Sequence, residues 1–61
     1  MERIKELVTN AGFVRVFWDE LKAHPEKTHR QIFNELNEAY EREYGCAKWT
    51  FDAFRKYRDR H

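Results

Sequence analysis

At 61 residues the chain has the length of one short domain, and folding at that size buries only about 60% of the surface an unfolded chain exposes. Charged residues make up 38%, hydrophobic 41% and aromatic 16%, with two Gly and one Pro, which excludes a disordered chain and a turn-rich all-β fold. The formal net charge of +1 weighs against strong nonspecific attraction to a polyanion by the chain as a whole. Cys46 stands alone, so no internal disulfide forms, and a reducing, cytoplasmic setting is expected. No apolar run approaches the roughly 20 residues of a membrane span, and no apolar signal-peptide core follows Met1–Lys5.

Ile4, Leu7, Val8, Ala11, Val14, Trp18 and Leu21 recur at steps of three and four, which predicts a helical face. Asn10-Ala11-Gly12 interrupts it. Either one helix runs from Glu2 to Ala23, or a short helix ends near Asn10 and a second begins near Phe13. The break at Gly12 favours two segments. His24-Pro25 ends the stretch near Ala23, because a residue before proline avoids the α region.

Thr28-His29-Arg30-Gln31 has the pattern of a capping box and opens a helix over 29–44. Its apolar face is Ile32, Phe33, Leu36, Ala39 and Tyr40, and Gly45 is the expected C-terminal stop. Thr50 is the expected N-cap of a last helix from Phe51, with Asp52 in its first turn. Phe51, Phe54, Tyr57 and Arg58 share one side of it. No clear stop signal ends this helix before His61, which permits a longer parent chain. The expected fold is therefore all-α: a small bundle of three or four helices in one domain over 1–61. Trp18, Leu36 and Phe54 are expected to meet in its core.

The charge is unevenly placed. From Gly45 to His61 five bases face two acids, leaving +3, whereas Gln31–Tyr44 holds four Glu against Arg42, leaving −3. Basic charge on the last helix is the electrostatic footprint of a nucleic-acid contact. It also complements the helix macrodipole with no partner at all. From Thr28 to Arg58 the chain resembles the helix-turn-helix modules of insertion-sequence transposases. Ile32, Leu36, Gly45, Trp49-Thr50-Phe51 and Phe54-Arg55-Lys56-Tyr57-Arg58 carry the resemblance. The resemblance implies that the last helix enters the major groove of double-stranded DNA. Thr50, Asp52, Ala53 and Lys56 would then face bases, with Lys48 and Arg55 on phosphates and Arg60 adding to the basic set. Asp52 could accept from a cytosine amino group. A regulator without catalysis is implied.

The alternative is a protein-interaction module, an adaptor or inhibitor of the phage- or plasmid-borne kind, that offers Glu35, Glu38 and Glu41 to a partner. The arc of Phe13, Phe17 and Trp18, widened by Val14 and Val16, is either buried within the bundle or a docking face for a second copy. His24, His29, His61 and Cys46 lack the paired spacing of a zinc site, and no metal or other cofactor is expected. Cys46 has no adjacent base or oxyanion-binding turn, so no catalysis is expected either.

Overall fold

The computed structural model describes residues 2–60, with side chains from Ile4 to Arg60. A 3-10 helix over Glu2–Val8 leads into α1 (Asn10–Ala23), α2 (His29–Tyr44) and α3 (Phe51–Arg60). No strand occurs among the described residues.

Residues 2–23 do form two segments, but the break falls at Thr9 and not at Gly12. Thr9 is extended (φ −90°, ψ 150°) and its hydroxyl accepts from the Gly12 N–H at 3.0 Å, so it caps α1. Gly12 lies inside the first turn of α1. It is there because the chain comes close: a Cβ at Gly12 would overlap the Glu6 carbonyl oxygen and stand 2.7 Å from Thr9 Oγ1. In a 3-10 helix residues three apart eclipse, so Ile4 and Leu7 line up against the core. Val8 and Ala11, expected on the same face, are exposed instead.

Both ends of α2 follow from local chemistry. Thr28 Oγ1 accepts from the Gln31 N–H at 3.1 Å, and Gln31 Oε1 accepts from the Thr28 N–H at 3.4 Å, which closes the capping box. Gly45 takes φ 84°, the left-handed region where a side chain is strained, and its N–H donates to the Glu41 carbonyl at 2.7 Å. Thr50 caps α3: its hydroxyl accepts from the Ala53 N–H at 3.2 Å.

Leu7, Phe13, Val16, Phe17, Ile32, Phe33, Leu36 and Phe54 form the core. Phe54 is its centre. Its ring lies 4.8 Å from Phe17, 5.1 Å from Phe33 and 5.6 Å from both Phe13 and Trp49, mostly edge to face. Each such pair contributes about 0.5–1.5 kcal/mol beyond its buried area. Leu36 and Phe54 are thus core residues as expected, and Trp18 is not. It stays 41% exposed, against Phe17 and the His29 ring at the outer edge of α1. Of the two readings of the aromatic arc, burial holds for Phe13 and Phe17. Phe13 and Phe17 are fully buried within the chain, which leaves only Trp18 of the three at the surface.

Candidate functional site

The site begins with the placement of α3. Residues 45–50 link it to α2, six residues where a tight helix-turn-helix uses three or four. Asn37, midway along α2, holds this longer connection. Its Nδ2 donates to the Trp49 carbonyl and its Oδ1 accepts from the Lys48 N–H, both at 3.0 Å. Phe51 then lies on Phe33 at 5.3 Å, and Arg58 reaches His29 at the start of α2. Consequently α3 runs back past the first half of α2. Nothing in the spacing of apolar residues marks Asn37, because its role is a pair of backbone hydrogen bonds across the fold.

Anchoring α3 through Phe54, with Phe51 and Tyr57 half-buried, turns Asp52, Ala53, Arg55, Lys56, Asp59 and Arg60 outward. They divide into two stripes by helical spacing. Asp52, Arg55 and Asp59 form one, which is largely compensated: Arg55 Nη2 lies 3.5 Å from Asp52 Oδ1, and Asp59 pairs with Arg58 at 3.3 Å. The other stripe is Ala53, Lys56 and Arg60. Lys56 and Arg60 have no ion-pair or hydrogen-bond partner among the described residues. Arg30, from the first turn of α2, sits over the Phe51 ring at 5.3 Å and adds a cation beside the start of α3.

Lys48 departs from its expected place on a phosphate. Its Nζ donates to the Val8 carbonyl at 2.7 Å, at the end of the 3-10 helix where carbonyls lack helical partners. It also lies over the Tyr40 and Trp49 rings at 5.6 and 5.4 Å. Burial lowers its pKa below a lysine's usual 10.5. This ammonium fastens the N-terminal segment to the connection. The Thr50 hydroxyl, expected at a base edge, is likewise engaged as the α3 cap.

Arg58 folds inward over Phe54 at 5.7 Å and donates from Nη1 to His29 Nδ1 at 3.2 Å. A guanidinium only donates, so His29 must accept there. His24 closes α1 and stands 3.5 Å from Glu26. Among the described residues no three His, Cys, Asp or Glu side chains converge as metal ligands, and His61 lies outside those residues. Cys46 is exposed.

On α2, Glu35, Glu38 and Glu41 are all exposed. Glu35 binds Lys27 at 2.9 Å. Glu38, Glu41, Arg42 and Gly45 line an open surface depression. No helix among the described residues is long and apolar enough to cross a membrane. Comparison with protein-family models, curated proteins and solved structures finds no match.

Proposed function

We propose that this chain is a small non-catalytic module that binds double-stranded DNA through α3, in the manner of a helix-turn-helix regulator. The observation that carries the reading is the way α3 is anchored. Its aromatic side faces the core, and its Ala53–Lys56–Arg60 stripe projects outward with two cations that have no partner among the described residues. Ten residues at 1.5 Å each give a helix about 15 Å long, suited to a major groove about 12 Å wide. Lys56 and Arg60 supply phosphate contacts, with Arg55 once it leaves Asp52. Arg30 flanks the start of the helix and adds a fourth cation. Ala53 and Asp52 lie near base edges.

The test is a binding isotherm for a short duplex at several salt concentrations. Each phosphate contact contributes about 0.9 to the slope of log K against log salt. Replacing Lys56 and Arg60 with Ala should lower that slope by nearly two and weaken all sequences alike. Replacing Ala53 should alter sequence preference more than slope, because base contacts specify and phosphate contacts position. A second reading, a protein partner on α2, is favoured by the open depression at Glu38 and Glu41. It predicts no duplex binding at low salt, together with a complex that Glu38→Gln abolishes.

A further inference from the structure

The chain has two tryptophans, and they sit in opposite environments. Trp49 is packed among Phe13, Phe54 and Tyr57, whereas Trp18 keeps 41% of its surface exposed. Trp18 stands on the open side of α1, beside the start of α2. Its ring lies 5.0 Å from Phe17 at 73° and 5.8 Å from His29 at 86°. Both neighbours are edge-on, so no aromatic ring among the described residues lies parallel on the indole.

The surroundings are cationic. Arg15 and Lys22 lie one helical turn before and after Trp18 on its own side of α1. Both are exposed and have no partner among the described residues. Arg58 of α3 adjoins through His29, which it meets at 3.2 Å, although Asp59 pairs with its Nε at 3.3 Å. Asp19 lies one turn from both Arg15 and Lys22 on the far edge of the same side, so the patch carries two cations and one carboxylate. An exposed indole with an arginine and a lysine on one flank suits an unpaired nucleotide, whose base stacks while its phosphates meet the cations. The patch also adjoins the last turn of α3, so a strand leaving that helix can reach it.

We infer that Trp18, with Arg15 and Lys22 on one flank, is a stacking platform for an unpaired nucleotide beside the duplex that α3 holds. The inference rests on the nucleic-acid reading above and names its substrate more closely: a junction between double and single strands. Base–aromatic stacking of ordinary strength gives about a tenfold preference for such a junction over a blunt duplex.

The test compares a blunt duplex with the same duplex carrying a short thymidine overhang, read by anisotropy of labelled DNA and by tryptophan emission. The overhang should tighten binding about tenfold and quench the emission. Trp18→Ala should remove that preference and leave blunt-duplex affinity unchanged. Arg15→Ala with Lys22→Ala should reduce the salt slope for the overhang alone, by about 0.7 per phosphate lost. Far-UV circular dichroism confirms that each variant is folded. Equal affinity for both DNAs, with unchanged emission, overturns the platform and leaves the α3 reading standing. Failure to bind either DNA at low salt overturns both. Emission that changes with protein concentration and not with DNA assigns the exposed indole to a contact between copies, and the platform falls.

Discussion

Replacing Asn37 with Ala tests how α3 is held. One side-chain amide joins the Lys48 N–H and the Trp49 carbonyl, at 3.0 Å each, in a partly buried site. The substitution leaves both backbone groups without that partner. An unsatisfied buried group costs about 1–3 kcal/mol, and partial water access puts the pair toward the lower end, about 2–3 kcal/mol together. A 61-residue domain has a total stability of about 3–9 kcal/mol, so the loss is a large share of it. With a urea slope of about 1 kcal/mol/M, the unfolding midpoint should drop by about 2 M. Asn37→Asp keeps an acceptor for Lys48 but sets a carboxylate oxygen against the Trp49 carbonyl, so it should not restore the parent's stability. The measurement is urea unfolding followed by circular dichroism and by tryptophan emission. An Asn37→Ala variant within about 0.5 kcal/mol of the parent would refute the argument that this residue positions α3.

Gly12→Ala pits helix propensity against tertiary fit. Propensity alone offers a gain of about 1 kcal/mol, but the added Cβ meets the Glu6 carbonyl, so thermal unfolding should show a net loss. Thr28→Ala opens the capping box and should cost about 1 kcal/mol in chemical denaturation. Alkaline titration should separate two lysines. The hydrogen bond to Glu35 raises the Lys27 pKa above 10.5, so its stabilisation is present below that pH and lost as pH climbs through the raised value. Lys48 is lowered by burial, so the unfolded chain holds more protons just below 10.5 and stability should rise with pH there. Unfolding midpoints of Lys27→Met and Lys48→Met, each compared with the parent across this range, should therefore diverge in opposite directions.

Features that depend on local chemistry were readable from the chain. Thr28 and Gln31 satisfy each other three residues apart, Gly45 needs only its own backbone freedom, and the Phe51–Phe54–Tyr57 side follows from helical spacing. Features set by distant groups were not. Gly12 reads as a helix breaker until the Glu6 carbonyl is seen against it. Lys48 reads as a free cation in a short connection, yet its partner Val8 is 40 residues away. Trp18 fits the apolar periodicity of α1, but α2 and α3 cover only the Phe13–Phe17 side of that helix. For the candidate site, the basic character of α3 was legible. The compensation of Arg55 by Asp52 and the arrival of Arg30 at Phe51 were not, since the first needs side-chain geometry and the second needs the return path of α3.

The claim that α3 is the DNA-binding element is tested most directly by titrating the isotopically labelled chain with a short duplex at low salt and following backbone amide shifts. The account predicts the largest shifts at Ala53, Lys56 and Arg60, with Arg30 following and Glu38 and Glu41 unmoved. These shifts should collapse as salt is raised. Shifts centred on Glu38 and Glu41, or none anywhere at low salt, would contradict it.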